Sequence, residues 1–182
     1  VEKGKSLLEF LRQKDINVEL YHSRLDTKEK MDIQNRFSGI ASPKIRVLIS
    51  TSAFGMGIDI PDIRHVVHFA PALSVTDYVQ QIGRAGRDGN DSYAHLLFSN
   101  EDRSLLDYMA TLSTNDKSFK EKHNYDDSDV AKVRATLLQQ VAEMWAITGL
   151  NDSQKIWQHI LDYFGEVEPS YWENSGLRVS NY

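Results

Sequence analysis

Two arginines spaced three residues apart are the side chains best suited to chemistry in this sequence. Arg84 and Arg87 lie in the string Gly-Arg-Ala-Gly-Arg-Asp-Gly, in which no bulky residue separates them. The preceding helix is predicted to run to Arg84, and arginines three apart on one helical face can reach the same anion. The pattern therefore predicts a phosphate or nucleotide site. The alternative is that both arginines form ion pairs with Asp88, Asp59 or other carboxylates at a solvated helix end.

Small polar residues at the ends of predicted strands form a second candidate site. Thr51 and Ser52 follow the predicted buried strand 45–49, and His22 lies at the end of an earlier predicted strand. In α/β sheets, ligands bind beyond the carboxyl ends of the strands. Hydroxyl groups and backbone N–H groups at such positions suit nucleic-acid phosphates. Ordinary turn capping is the alternative for each, as it is for Asp59 before the next turn.

These residues must be positioned by alternating helices and strands. Apolar spacing and capping residues predict helices at 2–14, 26–37, 74–84 and 102–112, and strands at 17–22, 45–49, 64–69 and 93–98. Such alternation favours parallel pairing in an α/β domain. We therefore expect an α/β domain over 1–112, a linker or mobile loop over 113–129, and a helical subdomain over 130–182 with helices at 130–147 and 153–164.

Composition limits the class of protein. The 182 residues are 41% hydrophobic and 26% charged, which is typical of a globular chain. No apolar run approaches 18 residues and no signal peptide opens the sequence, so we expect a cytoplasmic, nucleoid or nuclear protein without membrane contact. Residues 1–103 hold 14 basic and 14 acidic side chains, whereas residues 104–182 hold 7 and 12. The net charge of −5 therefore does not exclude a basic nucleic-acid groove in the first part.

Long strings in the first part resemble a known family. Ala53-Phe-Gly-Met-Gly-Ile-Asp59 and Gly83-Arg-Ala-Gly-Arg-Asp-Gly89 closely resemble motifs V and VI of RecQ-type DNA helicases. Tyr21-His22 and Leu25 resemble part of motif IV, although Ser23-Arg24 replaces the small pair that is usual there. The resemblance covers roughly residues 5–105, which corresponds to the second RecA-like domain. It implies a RecA-like parallel sheet flanked by helices, as in the C-terminal domains of P-loop NTPase helicases.

The resemblance also implies roles. Arg87 would be the arginine finger for a bound ATP, and Arg84 a second contact or an organiser. Gln80, Gly57 and Asp59 would approach the nucleotide, and Gln80 would link its state to domain closure. The residues that would line the path of single-stranded or unwinding duplex DNA are His22, Arg24, Thr51 and Ser52.

Two elements of an ATPase are not in this sequence. It contains neither a Gly-x-x-x-x-Gly-Lys-Ser/Thr phosphate loop nor an Asp-Glu-x-His motif. The resemblance implies that ATP and magnesium are bound mainly by an N-terminal RecA-like ATPase domain, and that a first strand precedes Glu2. We therefore expect this chain to be the C-terminal motor half of a DNA helicase and to be inactive alone. The alternatives are a non-enzymatic remnant that docks nucleic acid or a partner, and half of an RNA helicase.

The end of the chain resembles the helical zinc-binding subdomain of RecQ proteins, but without its ligands. The sequence contains no cysteine, and Lys155, Ser170 and Glu173 stand about where ligands are expected. His159 alone cannot hold a zinc ion. We therefore predict a zinc-free subdomain stabilised by packing of its apolar residues, namely Trp145, Ile147, Trp157, Ile160 and Phe164.

Overall fold

The chain divides into two units, residues 1–60 and 61–182, which are described separately. The structure is a computed structural model that describes residues 2–51, 60–115, 117–166 and 177–181, with the backbone alone for 113, 117 and 177–181. In both units the strands pair in parallel, as the sequence predicts.

The first unit pairs two strands with two helices. Its elements are α1 (Glu2–Arg12), β1 (Val18–Tyr21), α2 (Thr27–Phe37) and β2 (Val47–Ser50). Val18 lies opposite Val47 in the two-stranded parallel sheet. Asp26 caps α2 through a reciprocal capping box with Glu29, which confirms the predicted helix start. Tyr21, Ile33 and Ile45 form a buried apolar cluster in this unit.

The second unit contains a three-stranded parallel sheet and most of the helices. Its elements are β3 (His65–His68), α3 (Val75–Ile82), β4 (Ser92–Leu96), α4 (Asn100–Leu112), a 3-10 turn (Ser113–Asn115), α5 (Lys117–His123), α6 (Asp127–Thr148), α7 (Ser153–Phe164) and β5 (Leu177–Asn181). The strand order is β3-β4-β5. Strand β5 lies in the tail to which the sequence assigns no element, and it pairs with β4 from Ser92 to Leu96.

One face of this sheet supports the core of the second unit. Tyr78 and Ile82 of α3 pack with Leu96 of β4 and with Met144 and Ile147 of α6. Burial of these apolar side chains fixes α3 on the sheet, because apolar area removed from water contributes roughly 25 cal/mol per Å². The end of α3 is thereby held in place, and the arginine-bearing segment begins there.

The apolar packing predicted for the helical subdomain is present with one exception. Ile147 and Ile160 are buried, Trp157 packs against the same core, and Trp145 packs against the Leu106 cluster. Phe164 is 47% exposed, because it is the last residue of α7 and Gly165 turns the chain away with a φ of 72°.

The segment predicted as a linker or mobile loop is largely helical. Helix α5 occupies 117–123, and the Phe119 ring lies 4.8 Å from that of His123 and 5.9 Å from that of Tyr125. Asp126 then begins α6 with a capping box to Asp129. Polar composition alone did not reveal this ring contact, which ties the end of α5 to the start of α6.

Within the described ranges no helix is long and apolar enough to cross a membrane.

Candidate functional site: an arginine loop and a polar strand edge

The two arginines lie in a loop after α3 and not on its surface. Helix α3 ends at Ile82, two residues earlier than predicted, and Arg84 and Arg87 occupy successive turns. The expectation that they share one helical face is therefore wrong. Turn bonds from the Arg84 N–H to the Gln81 carbonyl and from the Ala85 N–H to the Ile82 carbonyl, at 3.3 and 3.0 Å, replace the helical pattern. We call residues 83–91 the arginine loop.

Glycine at position 86 sets the path of the arginine loop. Gly86 has a φ of 67°, in the region that favours glycine. A Cβ there would lie 2.6 Å from the Ser92 hydroxyl oxygen and 3.0 Å from the Asn90 carbonyl oxygen. The Gly86 N–H donates to the carbonyl of Ile63 at 3.0 Å. The backbone between the two arginines therefore lies close against the start of β3 and β4.

Arg64 contacts the same loop from the start of β3. One terminal nitrogen of its guanidinium donates to the carbonyls of Asn90 and Asp91, both at 3.3 Å. The other donates to the carbonyl of Pro61 at 3.3 Å and forms an ion pair with Asp88. This one side chain thus joins four groups.

Asp88 and Asn90 close a turn within the loop. The Asn90 backbone N–H and side-chain amide donate to the two carboxylate oxygens of Asp88 at 3.1 and 2.9 Å. The Asn90 amide first, and then the Arg64 guanidinium, lower the pKa of the Asp88 carboxyl from 3.8 to about 2. Asp88 is therefore a carboxylate at neutral pH.

The arginines themselves differ in exposure. Arg84 is half-buried and Arg87 is exposed, while Ala85 between them is buried. The carboxylate of Asp88, considered above as a partner for both, is bound by Arg64 and Asn90. Both arginines therefore belong to a loop whose backbone is anchored on both sides of Gly86.

Two glutamines precede the loop and behave differently. Gln80, the predicted link to the nucleotide, is exposed on α3. The side-chain oxygen of Gln81 lies 2.8 Å from Nε2 of His68 on β3. Because that oxygen only accepts, Nε2 carries the proton. His68 is 8% exposed, and burial lowers its pKa. His65 and His68 lie on opposite faces of their strand, and His65 is exposed.

The first unit brings predicted nucleic-acid contacts to one sheet edge. His22 follows β1 and Thr51 follows β2, and the Thr51 N–H donates to the Tyr21 carbonyl at 3.2 Å. Arg24 is exposed in the turn after His22. Lys30, which was not predicted as a site residue, donates to the Ser23 carbonyl in that same turn at 2.9 Å. The edge therefore combines a hydroxyl, an imidazole and two cations.

Several predicted residues lie outside the described part of the chain. These are Ser52, Gly57 and Asp59. Among the described residues, no group of three or more His, Asp or Glu side chains could hold a metal ion. Arg64 and Asn90 were not predicted as site residues. The sequence signal for Arg64 is its place between the two strings that resemble motifs V and VI, 53–59 and 83–89.

Comparison with known proteins finds helicases as relatives of this chain. Residues 1–89 match the helicase conserved C-terminal domain. The ATP-dependent DNA helicase Q-like 5 of Arabidopsis thaliana is 49% identical over 92 residues, which cover 50% of this chain and 10% of that protein. The ATP-dependent DNA helicase Q5 of Rattus norvegicus is 31% identical over 160 residues, covering 88% and 15%.

A bacterial relative extends over nearly the whole chain. The ATP-dependent DNA helicase RecQ of Pasteurella multocida is 31% identical over 176 residues, which cover 96% of this chain and 24% of that protein. The chain thus spans between a tenth and a quarter of the length of these relatives.

Proposed function

The chain belongs to the RecQ-type helicases, whose conserved C-terminal helicase domain it carries, and from this we propose that it is the second RecA-like motor half of an ATP-dependent DNA helicase. The observation that supports this most directly is the arginine loop. It presents Arg84 and Arg87 from a backbone fixed by Gly86 and by the contacts of Arg64. A group that stabilises a transition state must be held in place before the reaction.

Arg87 supplies positive charge to a nucleotide held by another RecA-like domain, and Arg84 orients or supplements it. ATP and magnesium provide the transferable phosphoryl group and neutralise its charge. The loop fits this task because it carries two arginines three residues apart, while the sequence lacks the phosphate loop that would hold the nucleotide itself. Gln80, exposed one turn before Arg84, links the nucleotide to the movement of the two domains.

The polar strand edge of the first unit binds the phosphates of single-stranded DNA. Arg24 and Lys30 provide charge there, and Thr51 provides a hydroxyl and a place at the end of a strand. Phosphate contacts hold a strand without reading its sequence. We assign residues 130–182 to a zinc-free helical subdomain that packs through apolar side chains such as Met144 and Ile160.

The decisive experiment joins the chain to the N-terminal RecA-like domain of a RecQ-type relative. We expect no ATP hydrolysis from the chain alone and DNA-stimulated hydrolysis from the joined protein. Arg87→Ala should lower kcat by about a thousandfold, because arginine fingers contribute about 10³ to 10⁵. Arg103→Ala, which removes an arginine paired with Asp107 on α4, is the matched control and should hydrolyse ATP normally.

Two results would refute the assignment: ATP turnover by the isolated chain, or a joined protein unaffected by Arg87→Ala. Single-strand binding is measured separately by fluorescence anisotropy with labelled DNA and RNA oligonucleotides. Arg24→Ala should weaken DNA binding and reduce its dependence on salt by about one charge. Tight binding without any hydrolysis in the joined protein would indicate a non-enzymatic binding module, and hydrolysis stimulated by RNA alone would indicate half of an RNA helicase.

A further inference from the structure

We propose that Arg64 is a positioning residue that holds the arginine loop in its working conformation. Arg64 touches neither nucleotide nor DNA in this proposal. It acts through the loop backbone on Arg84 and Arg87, so the inference rests on the function proposed above and names the part of the chain that makes that function possible.

The contacts of Arg64 are placed where the loop would otherwise be able to move. Its guanidinium binds the carbonyls of Asn90 and Asp91 at the far end of the loop, just before β4 begins. It also binds the carboxylate of Asp88, the residue next to Arg87. Ile63, the residue before Arg64, holds the middle of the loop, because the Gly86 N–H donates to the Ile63 carbonyl at 3.0 Å. Residues 63 and 64 thus hold the loop at three points.

An arginine suits this task better than a lysine. The planar guanidinium carries five N–H donors in a rigid fork, whereas an ammonium is a point charge on a flexible stem. Arg64 uses two terminal nitrogens for three carbonyl oxygens and one carboxylate, including the Pro61 carbonyl on its own side of the loop. A lysine at position 64 would retain the attraction to Asp88 but could not hold these carbonyls together.

These contacts differ from an ordinary surface ion pair, which contributes little. The side chains of Arg64 and Asp88 are 33% and 26% exposed, and the difference lies in the number of contacts, because Arg64 also binds three backbone carbonyls. Asp88 is also tied to Asn90 within the same turn. Movement of Arg64 would therefore release the turn that immediately follows Arg87.

The first test measures the clamp and needs no catalysis. Hydrogen exchange is followed in the chain by NMR at the amides of Gly89 and Asn90, which donate to Gly86 and Asp88. Arg64→Ala should speed exchange at both amides by at least about tenfold, since bonds to a charged group are lost. The Gly83 amide, bonded to Val79 in α3, should not change. Unchanged exchange at Gly89 and Asn90 overturns the proposal.

The second test measures the consequence in the joined protein. Arg64→Ala should lower kcat by about tenfold or more with little change in KM for ATP, because only the transition-state contact is disturbed. Arg64→Lys should recover part of the loss, and it also serves as the test variant if Arg64→Ala does not fold. Arg103→Ala again provides the control.

The possible failures can be told apart. Faster exchange with an unchanged kcat, in a protein that Arg87→Ala inactivates, overturns the positioning role while the proposed function stands. Full recovery by Arg64→Lys also overturns it, because a point charge would then be enough. An Arg87→Ala protein that still turns over normally overturns the proposed function, and the positioning role with it.

Discussion

Replacing Gly86 by alanine tests whether the arginine loop depends on close packing against β4. Two costs are expected at this position. The first is conformational, because the φ of 67° is unfavourable for any residue with a Cβ. The second is steric, because the added carbon would lie 2.6 Å from Ser92 Oγ and 3.0 Å from the Asn90 carbonyl oxygen.

Gly89 separates these two costs. It has a similar φ of 79°, but a Cβ there would have nothing within 4 Å. The left-handed conformation costs alanine about 1–2 kcal/mol, and the smaller entropy of the unfolded alanine chain offsets about 0.4–1 kcal/mol of this. Gly89→Ala should therefore destabilise by about 1 kcal/mol. Gly86→Ala should add about 1–3 kcal/mol for displaced neighbours, since Ser92 is fully buried and cannot move into solvent.

Urea denaturation followed by tryptophan fluorescence measures the difference. All three tryptophans of the chain lie after residue 140, in the second unit, so their emission reports unfolding of the unit that contains the loop. The free energy of unfolding should fall in the order native, Gly89→Ala, Gly86→Ala. Equal losses for the two variants would show that Gly86 is required for its φ alone, and that the contact with Ser92 and Asn90 does not constrain the loop.

Two further predictions concern the same unit. Burial lowers the pKa of His68 in the native state. As pH drops through about 6.5, the unfolded state therefore binds a proton more readily than the native state does, and the free energy of unfolding should fall. Gln81→Glu would place a carboxylate beside His68 Nε2, raise the pKa of His68 and weaken that pH dependence. NMR titration of the His68 ring and denaturation at two pH values test this prediction. An unchanged His68 pKa would contradict it. Met144→Ala should destabilise by about 2–5 kcal/mol because Met144 is fully buried, whereas Met109→Ala, at a residue 47% exposed, should stay within about 0.5 kcal/mol. Similar losses in urea denaturation would mean that α6 does not form the core of this unit.

Capping residues and apolar spacing were sufficient to predict most elements. Asp26 begins α2, and helix α7 spans 153–164 as expected, because its cap Asp152 and its terminal Gly165 act within a few residues. The segment 113–129 was predicted as linker from its polar composition, yet it contains α5. The contact between the Phe119 and Tyr125 rings accompanies this helix. It depends on the folded geometry, which composition does not predict. Strand β5 was missed for a similar reason, since it is defined by pairing with β4, in which Ser92 lies opposite Leu177, 85 residues later in the sequence.

The sequence by itself indicated the family and predicted the two arginines as site residues, because the Gly-Arg-Ala-Gly-Arg-Asp-Gly string is long and specific. It also placed Thr51 and His22 at strand ends, which follows from local patterns. Only the tertiary structure decided how the arginines are held. The contacts of Arg64 with Asn90 and Asp91 join residues 26 and 27 positions apart. Such contacts exist only once β3 and β4 pair, so spacing along the chain cannot reveal them.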